Sequence, residues 1–393
     1  DEHGSHHYTA DPFKVLDCAL KRYFPEQRHS DLPFVGGALG YFSYDLGRYL
    51  ERLPTEASAD LALPDMALGL YHWALIYDQQ QKQLWYTDYR QDAERHWHQL
   101  QQKLHPEPPR QQGFSLQSDW QANMTPQEYQ QKFARVQEEL KSGNCYQINL
   151  AQRFSAAYQG DEWLAYLQLR QKNAAPFSAF IRLPAAAVLS ISPERFLLLK
   201  DGQIETKPIK GTRPRGLCAQ TDQIEADTLR SSTKDRAENV MIVDLLRNDL
   251  GKVCQPGSVE VPALFAIESF PAVHHLVSTV TGTLAPPNTA CDLLRAAFPG
   301  GSITGAPKIS AMQLIEQLEP HRRSVYCGAI GYISSTGQMD TNIAIRTLIC
   351  EQGQIHCWAG GGLVADSKVD SEYQETLDKV AKILPVLSAM QPD

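Results

Sequence analysis

The chain has 393 residues, a length that allows two or three globular domains or one large one, with a formal net charge of −8 and 42% hydrophobic residues. This composition excludes a disordered or fibrous protein, and the lack of a basic patch argues against nucleic acid as a partner. No apolar run of about 18 residues is present, so we expect no membrane span. The eight scattered cysteines without zinc spacing, and the lack of a recognisable signal peptide, favour a reducing, cytoplasmic location.

The N-terminal part of the chain predicts one helix and several strands. Residues 12–23 form an amphipathic pattern typical of a short helix, and the Gly-rich aromatic stretch 34–44 is typical of a strand. The stretches 68–77 and 82–88 are predicted to form the two strands of a hairpin. A polar, Pro-rich connector at 105–113 is the strongest candidate boundary in the chain.

Stronger local signals follow this connector. A capping box at Thr125 predicts the start of a helix, and Gly143 is predicted to end it. The next stretch alternates as a strand does, with Ile148 on one face and Gln147 on the other. At least three further strands are expected within 177–207.

The C-terminal half predicts two long helices, over 233–250 and 371–388, with strands between them at 328–334, 342–350 and 355–358. Strands therefore come in consecutive runs that a few helices separate. This order is typical of an α+β fold rather than of a regularly alternating parallel sheet.

Each of the two long helices carries a pair of acidic residues. Asp235 and Glu238 are three residues apart, as are Glu372 and Glu375, so each pair shares one helix face. Carboxylates at the edge of a buried face suit Mg²⁺, which takes one or two of them and fills its other sites with water and substrate oxygen. The alternative is that these are ordinary acids near helix N-termini, stabilised by the helix dipole.

Two Gly-rich loops lie between the predicted elements, at 298–308 and 359–362. The first does not match a P-loop, because Ala306 and Pro307 stand where Lys and Ser or Thr are needed, and the second does not fit the G-x-G-x-x-G pattern. Each loop can present backbone N–H groups to a carboxylate, or can simply be a tight turn.

Three side chains have reactive potential that depends on their surroundings. Lys210 would need a lowered pKa to act as a nucleophile, and Glu194 would need a raised pKa to act as a general acid. Taken singly, each of them is more simply explained as a surface charge. One histidine of the pair His274 and His275 must face inward from the strand pattern that follows, where it could be catalytic or a satisfied core residue.

Several long motifs follow one another along the chain: SPERF, PIKGTRPRG, DRAENVMIVDLLRND, FPAVHHLVSTV, FPGGSITGAPK, GAIGYI, IAIRTL, WAGGG and EYQETLDK. In this order they resemble the chorismate-utilising enzymes, a family that includes anthranilate, isochorismate and salicylate synthases. The resemblance covers residues 121–388 firmly and 31–80 loosely.

The resemblance implies an α+β fold with two large, mostly antiparallel sheets packed face to face, helices outside and a cleft between the sheets. We therefore expect residues 1–104 to contribute strands to the common body, 105–120 to connect, and 121–388 to form the chorismate-binding catalytic region. Because the chain begins with Asp1 rather than Met, we expect the N-terminal region to be partial. A tryptophan site near the N-terminal sheet is left open.

The resemblance also implies roles for individual residues. Glu238 and Glu375 would bind Mg²⁺, with Asp235 and Glu372 as candidates for its outer shell. Glu194 would be the general acid that protonates the departing C4 hydroxyl of chorismate, Lys210 the nucleophile at C2, and His275 a catalytic group beside the ring. The expected substrate-binding residues are Gln147, Thr304, Tyr332, Arg346, Gly360, Gly362 and Lys379.

Two positions distinguish between members of the family. Anthranilate synthases have Ala where Lys210 stands, whereas Lys is typical of members that aminate chorismate at C4 for para-aminobenzoate and folate synthesis. Isochorismate and salicylate synthases have a Lys where Gln147 stands, to activate water. We therefore expect a transferase that makes 4-amino-4-deoxychorismate.

The ammonia for this reaction is expected from a separate glutamine amidotransferase subunit, because Cys145 lies in an alternating strand rather than at a sharp strand-to-helix elbow. The alternatives are the large subunit of anthranilate synthase and a non-catalytic chorismate-binding protein. The four intact residues Lys210, Glu194, Glu238 and Glu375 argue against mere binding.

Overall fold

The computed structural model describes residues 9–104, 113–270 and 273–391. Of the predicted connector over 105–120, residues 105–112 lie outside the described residues, whereas 113–120 contain a short strand.

Helices and strands alternate irregularly along the chain. The helices are α1 (Pro12–Tyr23), α2 (Gly47–Leu50), α3 (Ala93–Lys103), α4 (Pro126–Lys141), α5 (Glu162–Asn173), α6 (Ala219–Ser231), α7 (Thr233–Gly251), α8 (Ala290–Ala297), α9 (Lys308–Leu318), α10 (Val369–Val380) and α11 (Leu384–Ser388). The strands up to the middle of the chain are β1 (Gly37–Phe42), β2 (Met66–Tyr71), β3 (Trp73–Asp78), β4 (Gln83–Asp88), β5 (Ser115–Leu116), β6 (Gln121–Ala122), β7 (Gln147–Gln159), β8 (Phe177–Arg182), β9 (Ala186–Ser192), β10 (Arg195–Lys200), β11 (Gln203–Thr206) and β12 (Ile209–Pro214). The later strands are β13 (Glu260–Ser269), β14 (Val273–Thr283), β15 (Gly305–Ala306), β16 (Ala329–Ser334), β17 (Met339–Ile343), β18 (Thr347–Glu351) and β19 (Gln354–Leu363).

Two large sheets form the body of the molecule, and their strands pair antiparallel. The first runs β12-β14-β11-β10-β17-β16-β1-β2, with β13 also paired to β14. The second runs β15-β7-β19-β18-β9-β8, with β5 and β6 paired to β7. The N-terminal strand β1 enters the first sheet beside β16, where Gly37 lies opposite Ser334 and Phe42 opposite Ala329.

One hydrophobic core joins the two sheets. It contains Ile148 of β7 and Val188 of β9 from the second sheet together with Phe42 of β1 and Leu197 of β10 from the first. A second cluster lies where α5 and α11 pack on the second sheet, around Leu169 and Leu387 among others. The expectation of an α+β fold with two antiparallel sheets face to face and helices outside is therefore confirmed. In the part of the chain that the structure describes, no helix has the length and hydrophobicity needed to cross a membrane.

Local signals predicted several elements correctly. Helix α1 spans the residues expected from its amphipathic pattern, and Asp11 caps it. The predicted capping box is present at the start of α4, where Thr125 and Glu128 bond reciprocally. Gly143 follows that helix with φ +78°, a conformation that glycine adopts without strain.

Three element predictions were wrong in detail. The stretch 68–77 is not one strand, because the chain bends at His72: β2 pairs with β1, and only β3 forms the hairpin with β4. The stretch 371–388 is two helices, α10 and α11. Pro385 lacks the backbone N–H that a continuous helix would need at this position. The stretch 342–350 is two strands, separated where Arg346 adopts φ +49°.

Candidate active site

The glycines near the end of β19 give two carboxylates of α10 close access to the second sheet. A Cβ atom placed on Gly361 would lie 3.3 Å from Oε2 of Glu372 and 3.4 Å from Oε1 of Glu375. Lys379, one turn further along α10, donates to the carbonyl oxygen of Gly360 at 2.7 Å and pairs with Glu375 at 2.7 Å. The 359–362 stretch is therefore part of a strand that faces acids, not a tight turn.

Helix α7 brings further charges to the same place. The ammonium of Lys234 lies 3.4 Å from Oε1 of Glu372 and 4.0 Å from Oε1 of Glu238, so it bridges carboxylates from α10 and α7. Ser367 donates a 2.6 Å hydrogen bond to Glu372. The acidic face of α7 therefore meets the acidic face of α10, with a lysine between them.

A bulge in β12 places Lys210 next to these acids. The register with β14 shifts between Lys210 and Thr212, and Gly211 has φ +75°. A Cβ atom at Gly211 would lie 2.9 Å from Oδ1 of Asp235, so only glycine fits so close to α7. The amine of Lys210 donates to the carbonyl oxygen of Ser302 at 3.4 Å.

Burial lowers the pKa of Lys210, and the carboxylates of Glu238 and Glu194 only partly oppose this. In the described residues, no carboxylate forms an ion pair with its amine. A lysine held this way has a larger fraction of neutral, nucleophilic amine near neutral pH than an exposed lysine.

Glu194 is 6% exposed and lies in the short link between β9 of the second sheet and β10 of the first. Burial raises the pKa of its carboxyl to about 7, against the opposing effects of Lys210, the Ser302 hydroxyl and the backbone N–H of Ile209. Ser302 donates a 3.0 Å hydrogen bond to its Oε1. Glu194 is therefore partly protonated near neutral pH, as a general acid must be.

Burial raises the pKa of Glu238, with the ammonium groups of Lys210 and Lys234 acting in the opposite direction. For Glu375, burial alone would raise the pKa, but the ammonium of Lys379 and the more distant Lys234 and Lys210 hold it below its usual range. The two carboxyls thus have different protonation behaviour although both face the same cleft.

His275 and Arg346 form a neighbouring part of the site. Nδ1 of His275 lies 2.9 Å from the hydroxyl of Thr212, and burial together with the nearby Arg346 lowers the pKa of the histidine. Burial also lowers the pKa of Arg346, and among the described residues no carboxylate pairs with it. An unpaired, half-buried guanidinium is suited to binding a carboxylate supplied by a ligand.

Gln147 lies in the second sheet against the end of β19. Its side chain is fully buried, and neither amide atom has a hydrogen-bond partner among the described residues. A Cβ atom at Gly362 would lie 2.2 Å from its Nε2, so the amide covers that glycine. The alternation prediction missed that both faces of β7 are buried here, one by the core and one by this site.

Two predicted substrate residues have other contacts in this structure. The hydroxyl of Thr304 donates to the carbonyl oxygen of Gly300 at 3.0 Å, inside its own loop. Tyr332 packs its ring against Phe34 at 5.7 Å, and within the described residues its electrostatic contacts are to Asp340 and Arg195 rather than to the acids of α7 and α10.

The donor set is compatible with a hard divalent cation. In the described part of the chain no three His, Cys, Asp or Glu side chains converge as a ready metal site. Gly361, however, has no side chain where the carboxylates of Glu372 and Glu375 approach the strand. Mg²⁺ needs only one or two carboxylates when water and substrate oxygens complete its shell. Glu238, Glu372 and Glu375 are the residues that could hold it.

Two residues of the site were not predicted from the sequence. Lys234 is one turn before Glu238, a spacing that signals an i,i+4 pair but does not reveal Glu372. Ser302 stands inside a quoted loop motif, but its contact with Glu194 joins residues 108 positions apart.

The comparison with known families agrees with this geometry. The family model described as chorismate binding enzyme matches residues 2–385, and the chain belongs to that family.

Curated relatives carry two different names. Aminodeoxychorismate synthase component 1 of Escherichia coli (strain K12) is 57% identical over 381 residues, which cover 96% of this chain and 83% of that protein. Anthranilate synthase component 1 of Lactococcus lactis (strain IL1403) is 36% identical over 387 residues, covering 95% and 84%. The crystal structure of anthranilate synthase component I from Streptococcus pneumoniae TIGR4 superposes with a TM-score of 0.87 at 34% identity, covering 96% of this chain and 86% of that one.

Proposed function

We propose that this chain converts chorismate and ammonia to 4-amino-4-deoxychorismate, a transferase step toward para-aminobenzoate and folate. The observation that carries the proposal is the 57% identity, over 96% of this chain, to the E. coli protein named aminodeoxychorismate synthase component 1. The position of Lys210, an amine with a lowered pKa near Glu194 and Glu238, supports it.

Lys210 and Glu194 supply the chemistry of the proposed reaction. The Lys210 amine adds to C2 of the cyclohexadiene, the conjugated double bonds shift, and the C4–O bond breaks as Glu194 protonates the departing hydroxyl, which leaves as water. Ammonia then adds at C4, the double bonds shift back, the C2–N bond to Lys210 breaks, and the new ammonium group returns a proton to the ionised Glu194. The product keeps its enolpyruvyl group, so a separate lyase must remove it.

The other residues would bind and orient the substrate. Glu238 and Glu375, with Glu372 and Asp235 nearby, would hold Mg²⁺, which when bound would offset the charge of the ring carboxylate. Arg346 would bind the enolpyruvyl carboxylate, because no carboxylate of the described residues is paired with its guanidinium. Neutral His275 would lie beside the ring without adding charge there.

We infer that the ammonia comes from a separate glutamine amidotransferase. The relatives' name, component 1, implies a second component. Burial raises the pKa of Cys145 to about 11, so its thiol is a poor nucleophile, and no cysteine in the described ranges is hydrogen-bonded to a histidine.

Product analysis tests the proposal. Chorismate, ammonium salt and Mg²⁺ should give aminodeoxychorismate by mass spectrometry, without release of pyruvate, and glutamine should not replace ammonium. Anthranilate together with pyruvate, formed without an added lyase, would instead assign the second candidate activity, which the 36% identity to the L. lactis protein favours.

The proposed metal has its own test. Glu238→Gln and Glu375→Gln should each lose turnover and weaken Mg²⁺ binding measured by calorimetry, while circular dichroism stays that of the parent. Glu138→Gln, at a side chain of α4 that is 68% exposed, serves as a charge-matched control. Full turnover in excess chelator would contradict the magnesium assignment.

A further inference from the structure

Ser302 contacts both of the side chains to which the proposed reaction gives chemical roles. Its hydroxyl donates to Oε1 of Glu194 at 3.0 Å, and its backbone carbonyl accepts from the amine of Lys210 at 3.4 Å. Among the described residues, it is the one whose hydrogen bonds reach both groups. Nothing in the reaction as proposed above requires this residue.

The loop that carries Ser302 is fixed on both sides. Ser302 lies in a 3-10 turn, and a Cβ atom at Gly301 would lie 2.5 Å from Cδ2 of Leu245, so α7 packs directly on this turn. At the end of the loop, the ammonium of Lys308 pairs with Asp249 at 2.6 Å and donates to the carbonyl oxygen of Ala297 at 2.8 Å. The Ser302 hydroxyl is therefore presented at a defined position.

Few groups face the Glu194 carboxyl from the elements around it. The charged ones are Lys210 from β12 and Lys379 from α10, the backbone N–H of Ile209 adds a donor, and the titratable thiol of Cys327 lies near by. In this part of the described structure, Ser302 supplies the one uncharged side-chain donor. Removing its hydroxyl changes the hydrogen bonding of Glu194 without changing the charge of the site.

We propose that Ser302 is a positioning residue, which orients the Glu194 carboxyl through its hydroxyl and the Lys210 amine through its carbonyl. One turn then holds both Glu194 and Lys210 in place, so that Glu194 can donate its proton at C4 while Lys210 attacks C2 of the same ring. The inference rests on the proposed function for the roles of Glu194 and Lys210.

The hydroxyl also affects the acidity of Glu194. A hydrogen bond donated to a carboxylate favours the ionised form, so its loss raises the pKa above the present value of about 7. A hydrogen bond to a charged group is worth enough to expect a shift of about one pH unit. An acid must be protonated to act, so the basic limb of the pH–rate profile moves up with that pKa.

Three variants separate this role from a structural one. Ser302→Ala removes the hydroxyl, and Ser302→Thr keeps it. Thr206→Val is the matched control. Thr206 lines a small cavity together with Glu194 and Ser302, but its hydroxyl donates to the carbonyl oxygen of Phe196 rather than to Glu194. For each, the carboxyl band of Glu194, assigned with Glu194→Gln, is titrated by infrared difference spectroscopy, and the pH profile of kcat/KM is measured with chorismate and ammonium.

Ser302→Ala should raise both the spectroscopic pKa of Glu194 and the basic limb by about one pH unit, and should lower the maximal rate about tenfold. Ser302→Thr should have the parent's spectroscopic pKa and basic limb, and Thr206→Val should change neither of these two pH values. An unmoved Glu194 band in Ser302→Ala, or an equal shift in Thr206→Val, overturns the proposal. The infrared titration needs no substrate, so a shifted band supports the Ser302 contact with Glu194 even where product analysis refutes the proposed function.

Discussion

Two pairs of cationic side chains in this molecule have opposite surroundings. Lys308 and Arg323 are buried and paired: Lys308 with Asp249 at 2.6 Å, and Arg323 with Glu319 at 2.7 Å and with the carbonyl oxygens of Ile303 and Asn149. Lys210 has only a carbonyl oxygen at 3.4 Å, and Arg346 has no carboxylate partner in the described residues. The first pair lies where loops meet the core, and the second lies in the cleft.

This difference separates cations that hold the fold from cations that are available to a ligand. A buried charge is tolerated when a carboxylate and further hydrogen bonds compensate it. A charge without such compensation raises the free energy of the folded protein and is expected mainly where function requires it. The two pairs should therefore respond in opposite ways to removal.

The largest effect is expected for Lys210→Ala. Aminodeoxychorismate formation should fall at least about 10³-fold, because the nucleophile is gone, while the free energy of unfolding should be unchanged or higher. Denaturing mass spectrometry after chorismate and Mg²⁺ without ammonia should show an adduct on the Lys210 peptide of the parent and none in the variant. A parental rate in Lys210→Ala would rule out the covalent route and favour direct attack at C4.

Lys308→Met should instead lower the free energy of unfolding and have little effect on turnover. Removing the ammonium leaves the buried Asp249 carboxylate with the more exposed Lys252, at 2.8 Å, as its charged partner and the carbonyl oxygen of Ala297 without this donor, so the free energy of unfolding should fall by about 1–3 kcal/mol in urea titration. At a temperature where the variant stays folded, kcat should fall far less than in Lys210→Ala. If Lys308→Met is as stable as the parent, the paired group is not structural and the comparison fails.

Glu194→Gln sharpens the comparison from the acidic side. The rate should fall at least about 10²-fold with little change in chorismate binding, measured by calorimetry. Its pKa of about 7 exceeds that of the unfolded chain, so the protein loses stability as pH rises from about 4.3 to 7. Glu194→Gln should remove that loss and be relatively more stable at pH 8, and a pH dependence equal to the parent's would contradict the raised pKa.

Arg346→Met is expected to have the smallest effect of the four. Chorismate binding should weaken about tenfold, because one charge-assisted hydrogen bond is lost, and stability should not fall. Arg323→Met, the paired arginine, is the control and should lose stability instead. A strong loss of stability in Arg346→Met would show that this guanidinium has a structural partner.

Elements with strong local signals could be predicted from the sequence. Helices α1 and α4 each begin at a capping residue, Asp11 and Thr125, whose side chain bonds to backbone N–H groups two or three residues further on. The start of each helix therefore depends on no distant contact. The bend at His72, by contrast, arises because β2 pairs with β1 while β3 turns away to pair with β4, and an unbroken apolar stretch gives no sign of such a change of partner.

The sequence by itself determined which acids share a helix face, where caps and glycines punctuate the chain, and the motif order that identifies the family. Only the tertiary structure decided that Lys234 lies between Glu238 and Glu372 and that Ser302 reaches Glu194. It also decided that Lys308 has a carboxylate partner, whereas Lys210 has none among the described residues. The physical reason is range: caps and helix faces depend on neighbours a few residues away, whereas burial and charge pairing depend on groups that only the packing of the two sheets brings together.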